Sequence, residues 1–438
     1  MEKITGSGAD ECKVQVTVTV LEGIRDLEKG PTGSDNAEGS DIPRADGGID
    51  AWLFLAACFD STCTFNQDLN IQMPRRRRKA HNKPGFPFAF GVFQTYYSTH
   101  PPFDEHADSI AITGSCATGI TLIAASFATQ VWHLIVTQGV LYAIGGSLLY
   151  SPTMFYLDQW FVKRKGLALG VMWSGVGTSG LIFPFLLSYL VDKYGFRCTL
   201  RIWAVILLLL CCPLIYYIKP RIPATYPSEP PSNPSYTFLK SPIFWFLQAA
   251  NILSSLGFFS PSIYLSSYSA SLSFSPITGT ALIALLNSFS VIGAISLGHL
   301  SDIRHITTVI LLSSVLSALS VFLLWGISTS LPSLIFFTII YGIFAGGWTA
   351  IWAGMIREVQ RTDQKAGFGV LMGLFSAGRG VGSVACGPVT EWLVGLGGLD
   401  GVKGGYGTEY GMVIVFTGVS ATCGLIGIGA RFWKMERA

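Results

Sequence analysis

Long stretches without any charged side chain dominate the pattern of this sequence. No Asp, Glu, Lys or Arg occurs from Ser109 to Leu157, from Ser241 to Ser301, or from His305 to Ile356. A helix crosses a bilayer with about 20 residues, so each stretch has room for two helices joined by an uncharged turn. Shorter uncharged stretches follow at 166–191, 202–218 and 411–430.

Helices are the predicted element in every one of these stretches. Lipid offers the backbone no hydrogen bonds, so only helices and closed barrels span it. Barrel strands alternate over about ten residues, and the sequence lacks that alternation. The predicted fold class is an all-α membrane protein, with spans near 109–130, 133–161, 166–191, 198–218, 243–270, 277–300, 306–327, 331–356, 368–394 and 411–433.

The N-terminal part of the chain is less regular. Two apolar pieces, Ile49–Phe59 and Gly85–Ser98, are each too short to cross a bilayer alone. Between them the chain turns polar at Asp60, where we expect the first helix to be interrupted, and carries the basic run Arg75–Lys79. Because basic segments resist export, we expect the first helix not to cross, which gives ten spans rather than twelve.

Basic residues recur in every second loop between the predicted spans. The positive-inside rule places such loops, and with them the C-terminus, in the cytoplasm. We therefore expect a multi-pass protein of the plasma membrane with a cytoplasmic C-terminus. The residues concerned are Lys163, Arg164, Lys165, Lys219, Arg221, Lys240, Arg304, Arg357, Arg361, Lys365, Arg431, Lys434 and Arg437.

Composition divides the chain into four predicted segments. Residues 1–45 are polar and of mixed charge, which predicts a disordered cytoplasmic arm. Residues 46–218 form an N-terminal transmembrane half that contains a polar, basic insertion at 60–84. A Pro-rich cytoplasmic loop at 219–242 separates it from a C-terminal transmembrane half at 243–438.

The overall composition excludes several classes of protein. Half of the residues are apolar and 13% are charged, about half of what a soluble domain needs to cover its surface. The net charge of +3 is too small to indicate a nucleic-acid partner. Neither the cysteines nor the histidines have metal-ligand spacing, so we expect no metal and no cofactor. No intramembrane cluster of His, Asp and Glu can be assembled, which argues against an enzyme.

A faint internal repeat is the strongest indication of architecture. Gly170, Gly175 and Gly177 have the spacing of Gly373, Gly378 and Gly380, at an offset of 203 residues, and a proline follows each series. One helix earlier, the pair Gly145–Gly146 recurs as Gly346–Gly347. Parallel halves that repeat along the chain are typical of major facilitator transporters, in which substrate binds near the midplane at the interface of the repeats.

Several motifs resemble the fungal monocarboxylate-porter-like branch of the major facilitator superfamily. They are Asp46-Gly47-Gly48 with Trp52, the run 91–97, Trp160-Phe161 with Lys163–Gly166, and the loop Gly298-x-x-x-Asp302-x-Arg304. The resemblance implies alternating access, a small organic anion as substrate, and proton coupling. This chain departs from the family at Asp60, and it lacks the first copy of the loop motif, expected between the second and third helices.

One charged residue stands out as candidate chemistry. Arg379 lies about ten residues from either end of its predicted span, where a charge costs about 2.5–3.5 kcal/mol on insertion scales. It should therefore face the bundle interior, either to pair with an anionic substrate or to hold helices together. We predict substrate contacts at Arg379, Asn251, Tyr268, Asn287 and Trp348.

Further residues are predicted to control the transport cycle. Gly298, Asp302 and Arg304 form a conformational lock in which Asp302 and Arg304 supply an inter-helix charge pair. No Asp or Glu lies deep in any predicted span, so the residues themselves do not support the proton coupling that the resemblance implies.

Three functions remain open at this point. The first is a secondary transporter of a small organic anion, such as a monocarboxylate, with a small-molecule solute and the lipid bilayer as its partners. The second keeps the fold but exports a larger, apolar secondary metabolite. The third is a degenerate or receptor-like membrane protein that transports nothing.

Overall fold

The computed structural model describes residues 45–65, 107–221, 236–327, 329–399 and 401–431. Within these ranges the regular structure is entirely helical, as the fold class predicts. Nine helical segments in the described ranges are long and apolar enough to cross a bilayer, three in the first half of the chain and six in the second. The basic run Arg75–Lys79 and the segment Gly85–Ser98 lie outside the described residues, so the number of spans, ten or twelve, stays a prediction.

The first half of the chain contributes four helices. Helix α1 is Ile49–Phe65, α2 is Ala107–Ala125, and α3 is Trp132–Trp160, which includes a π-helical stretch at Ile135–Leu141. Helix α4, Lys165–Ile215, has two arms that meet at Gly195. This glycine has φ 76° and ψ 165°, a conformation that a residue with a side chain rarely adopts, so it allows the chain to reverse there.

The second half contributes six helices that agree closely with the predicted spans. Prolines lie in the first turns of α5, α6 and α8. The N–H groups of a first turn have no partner within the helix, so proline breaks no hydrogen bond there. The six are α5 (Pro242–Ser271), α6 (Pro276–Ile303), α7 (Ile306–Trp325), α8 (Leu331–Gln360), α9 (Phe368–Leu396) and α10 (Gly411–Arg431).

The first helix does not end at Asp60, where we expected its interruption, because α1 continues to Phe65. An interruption further along the insertion at 60–84 lies outside the described residues and stays a prediction. The hydroxyls of Ser61 and Thr62 donate to the carbonyls of Ala57 and Cys58, at 2.8 and 2.7 Å, so these polar residues are satisfied within the helix. At 1.5 Å per residue α1 is about 25 Å long. Asp60 therefore lies within α1, although we expected no Asp or Glu deep in any span.

The two halves repeat one packing arrangement. A β-carbon built at Gly175 of α4 would meet the backbone of α1 at Phe59, and one built at Gly378 of α9 would meet Gln248 of α5. The first helix of each half therefore lies against the helix that carries the repeated glycines, which explains why close approach is needed at both positions.

One end of the bundle gathers the basic loops, and we call it the basic end. Hydrogen bonds join its loops to each other: Arg221 contacts Gln159, and the N–H of Phe238 donates to Asp363 at 3.1 Å. The start of α1 lies at the same end, because the N–H of Asp46 donates to the carbonyl of Trp160 at 2.9 Å. The alternation of basic loops along the sequence thus corresponds to one face of the molecule.

Asp46 caps the approach to α4. Its carboxylate accepts N–H bonds from Val162, Lys163 and Arg164 at 2.9–3.0 Å. Partial burial raises the pKa of Asp46. The hydrogen bonds from the backbone of Lys163, Arg164 and Val162 and the charge of Arg164 lower it by more, so the net pKa lies below its usual value of 3.8. A carboxylate beside a helix N-terminus is also stabilised by the helix dipole.

Replacing Asp46 with alanine is expected to destabilise the protein by about 1 kcal/mol, a typical loss for a helix cap. Because the folded pKa is lowered, this stabilisation is present above the unfolded pKa of about 3.9 and is lost as the pH falls through the folded value. Thermal unfolding of the purified protein at pH 7 and at pH 3 measures both effects. The exposed carboxylate Asp50 provides the control: Asp50→Ala should have little effect, and an equal loss from both variants would contradict the capping role.

Candidate functional site

A small, partly open cavity lies among helices α5, α7, α8, α9 and α10. Its volume of about 20 Å³ holds roughly one water molecule, so a solute can enter only if the helices move apart. The described residues that line it all come from the second half of the chain, whereas the fold predicts a site at the interface of the repeats. The lining residues are Ser254, Phe258, Ser313, Ser314, Ser317, Tyr341, Ala345, Trp348, Arg379 and Ala421.

Arg379 supplies the positive charge of this cavity. Arg379 is 8% exposed, and its guanidinium carbon lies 4.3 Å from the centre of the Phe258 ring. Such a cation–π contact contributes about 2 kcal/mol when it is desolvated, which is less than the cost of burying the charge. Among the described residues no carboxylate forms an ion pair with Arg379, so none of them neutralises the cation that borders the cavity.

The serines of α7 are site residues that sequence reasoning missed. Ser313 donates to the carbonyl of Phe344 at 2.7 Å, whereas the buried hydroxyls of Ser314 and Ser317 have no hydrogen-bond partner within the described ranges. A buried hydroxyl without a partner loses free energy relative to water, and a polar solute or a water molecule would satisfy it. Serine is common in membrane helices, so nothing in the sequence marks these three serines. Their position in the cavity with Arg379 is what distinguishes them from other serines.

Two of the five predicted substrate contacts line the cavity, namely Arg379 and Trp348. Asn251 lies behind the wall: its amide nitrogen donates to the carbonyl of Phe375 at 2.7 Å. Its oxygen accepts the indole N–H groups of Trp348 and Trp352, at 3.2 and 3.1 Å. Three of its four hydrogen-bonding positions are therefore in use within the protein.

The other two predicted contacts lie away from the cavity. Tyr268 is fully buried in an aromatic group with Trp325 and Tyr410, at centroid distances of 5.9 and 5.7 Å. Asn287 joins the halves, because its amide donates to the carbonyl of Gly180 on α4 at 3.1 Å. A role for either side chain in binding the substrate stays a prediction.

The predicted lock residues lie where the two halves meet at the basic end. The carboxylate of Asp302, at the end of α6, accepts the N–H groups of Gly166 and Leu167 at 2.9 and 2.8 Å. These groups belong to the first turn of α4, in the other half, where the helix dipole favours a negative charge. Gly298 lies directly against Gly166, and a β-carbon at either position would overlap the other's carbonyl oxygen.

The ion pair of Asp302 is formed with Arg357 of α8, not with Arg304 as the sequence led us to expect. The distance from Arg357 Nη2 to the carboxylate is 2.8 Å, and the Asp302 side chain is 7% exposed. Arg304 is the first residue after α6, where an extended backbone leads the chain away toward α7. Asp302 and Arg304 are close in sequence, but the end of the helix lies between them. The basic partner of Asp302 therefore comes from a neighbouring helix.

Comparison with known proteins identifies the family. The family model of the Major Facilitator Superfamily matches residues 106–384. Agnestins efflux protein AgnL12 of Paecilomyces divaricatus is 29% identical over 66% of this chain and 72% of its own length. The MFS transporter asaE of Aspergillus flavus is 24% identical and covers 86% of both chains. The monocarboxylate-porter-like branch is not distinguished by these similarities.

Solved structures of similar fold are also transporters. The transporter FucP in its outward conformation matches with a TM-score of 0.58 and 13% identity, over 88% of this chain and 98% of its own. A bacterial homologue of the iron transporter ferroportin matches with a TM-score of 0.61 and 12% identity, over 88% of this chain and all of its own. These similarities show the fold, and the family model over residues 106–384, together with the apolar helices, shows that the chain is a multi-pass membrane protein of the major facilitator superfamily.

Proposed function

We propose that this protein exports an acidic, largely apolar secondary metabolite by alternating access. The observation that carries the proposal is the buried cation of Arg379, which has no carboxylate partner in the described ranges and borders an aromatic cavity. Curated relatives support export, since they include an agnestins efflux protein, a fujikurins efflux protein and an aspyridones efflux protein. Export from the cell further implies the plasma membrane, with the C-terminus in the cytoplasm.

The walls of the cavity suit an aromatic solute with an acidic group. Phe258, Tyr341 and Trp348 present rings or indole faces, Arg379 offers a charge, and the serines of α7 offer hydroxyls. Aromatic faces recognise flat apolar surfaces, while a guanidinium binds a carboxylate through two parallel hydrogen bonds. These groups can select an ionised compound without excluding a large one, provided that the cavity expands.

A small monocarboxylate is the second candidate, because Arg379 would also neutralise a simple carboxylate. Transport assays in proteoliposomes distinguish the two. Exchange of a hydroxylated aromatic acid, such as 3,5-dihydroxybenzoate, with no exchange of acetate or lactate supports the exporter. The reverse preference supports a monocarboxylate porter. If neither class of solute is exchanged by well-folded protein, the chain is a non-transporting member of the family.

Asp302 is proposed to lock the basic end by holding the start of α4. Asp302→Asn should slow turnover about tenfold without weakening solute binding, since hydrogen bonds to charged groups contribute about 1.5–3 kcal/mol. The expected cause is a shift in the populations of the two access states.

Solute exchange rates and equilibrium binding, measured on the same preparation, check this expectation. Asp192→Asn removes an exposed carboxylate elsewhere on α4 and serves as the control. An unchanged exchange rate with a raised dissociation constant would instead assign Asp302 to the binding site.

A further inference from the structure

Two hydrogen bonds to Asn251 and an aromatic contact connect the cavity to the interface where the two halves meet. Trp348 lines the cavity, and Trp352 follows four residues later on the same helix. The indole of Trp352 meets that of Trp173 edge to face, with ring centroids 5.7 Å apart. Trp173 belongs to the first arm of α4 and also contacts Tyr150 of α3, so this contact joins the second half to the first.

Asn251 holds the two indoles of α8 in a fixed register. A carbonyl oxygen has two lone pairs, and both are used here, one by each indole N–H. The bond from the amide nitrogen to the carbonyl of Phe375 fixes the plane of the amide, so the oxygen cannot turn to follow one indole alone. Asn251 and Trp352 are fully buried, so no bulk water replaces a lost partner.

We propose that Asn251 is a positioning residue that couples the cavity to the contact between the halves. A solute that displaces Trp348 alters one of the two bonds to the shared oxygen, and Trp352 then changes its position against Trp173. A change in this cavity, whose described lining residues belong to the second half, can thus loosen its contact with the first half. This inference extends the proposed function, but its test below requires no solute and stands even if the exporter assignment fails.

A neighbouring residue separates this role from simple helix packing. Gln248 lies one turn before Asn251 on α5, and its amide nitrogen donates to the carbonyl of Leu374 at 2.8 Å. Both amides thus attach α5 to consecutive carbonyls of α9, but only Asn251 accepts the indoles. If Asn251 acts merely as an attachment between helices, replacing either residue should have the same effect on the bundle.

Amide hydrogen exchange at residues 166–173 of α4 reports the opening of the contact between the halves. Asn251→Leu is expected to raise this exchange about tenfold, because two buried indole N–H groups lose their shared acceptor. Gln248→Leu should change it by less than about threefold. Equal acceleration in the two variants would overturn the proposal and leave Asn251 as a packing residue.

Two milder variants keep the test decisive if Asn251→Leu does not fold. Trp348→Phe and Trp352→Phe each remove one indole N–H and keep an aromatic ring in place. Because the two bonds share one oxygen, we expect the double variant to deviate at least about twofold from the product of the single effects on exchange. Independent effects, or no change with Trp352→Phe, would show that the shared oxygen does not couple the two sites.

Discussion

Replacing Arg379 with alanine should abolish transport of ionised solutes, by about a hundredfold or more, and leave transport of neutral analogues nearly unchanged. The cation is buried beside Phe258 without a carboxylate among the described residues, so an acidic solute is the partner that the site lacks. An acid that enters the cavity of the alanine variant would be an uncompensated buried charge, which costs about 3–5 kcal/mol. A neutral analogue avoids that cost.

A charge-conserving variant tests the geometry of the same contact. Arg379→Lys keeps the positive charge but loses the planar fork that binds a carboxylate through two bonds, so partial transport of anions should remain. The assay compares 3,5-dihydroxybenzoate with its neutral methyl ester in proteoliposomes, with protein folding checked by gel filtration. Equal losses for acid and ester, accompanied by poor folding, would identify Arg379 as a structural residue that holds α9 against Phe258.

A single methyl group at Gly170 should hinder closure of the basic end and slow transport by roughly tenfold or more. A β-carbon at this position would overlap the carbonyl oxygen of Ala294 on α6, in the opposite half. The carbonyl belongs to the backbone and cannot rotate away, so the two helices must separate. Overpacking of this kind costs about 1–3 kcal/mol, which corresponds to a shift of about 5–150-fold between open and closed states.

The internal repeat provides a matched control for this substitution. Gly373 occupies the corresponding position of α9, and a β-carbon there would meet no atom of the described residues within 4 Å. Replacement of glycine by alanine within a helix improves its intrinsic stability by about 1 kcal/mol in both variants, so that contribution cancels. Gly170→Ala should raise hydrogen exchange at the start of α4 and slow turnover, whereas Gly373→Ala should do neither. Similar behaviour of the two variants would refute the steric argument.

The two predictions probe different parts of the cycle. If Arg379 binds the solute, as proposed, its replacement should change selectivity, whereas replacement of Gly170 acts on the approach of the halves and should change only the rate. A variant of Gly170 that discriminates between acid and ester would place the binding site at the contact between the halves. The Asn251 experiment addresses the connection between these two regions.

The positions of the helices in the second half could be predicted from the sequence almost residue by residue. Hydropathy summed over about 20 residues decides membrane insertion, and that sum needs no knowledge of neighbours. The same reasoning failed at Asp60, because the hydroxyls of Ser61 and Thr62 satisfy themselves on the carbonyls of their own helix. Local polarity therefore does not by itself end a helix within a membrane protein.

The burial of Arg379 also followed from its position in a long apolar stretch. Its surroundings did not, because the rotation of a helix about its axis depends on packing against several others. The serines of α7 face Arg379, while Asn251 faces two indoles rather than the cavity, although both kinds of side chain looked alike in the sequence.

The sequence by itself determined the class of fold, the glycines that require close helix contacts, and the buried cation. Each of these follows from the hydropathy, size or charge of residues taken in chain order. Only the tertiary structure decided that Asp302 pairs with Arg357 and the start of α4, and not with Arg304. The physical reason is that ion pairs and shared hydrogen bonds depend on the distances between helices. The spacing of two nearby residues along the chain does not determine those distances.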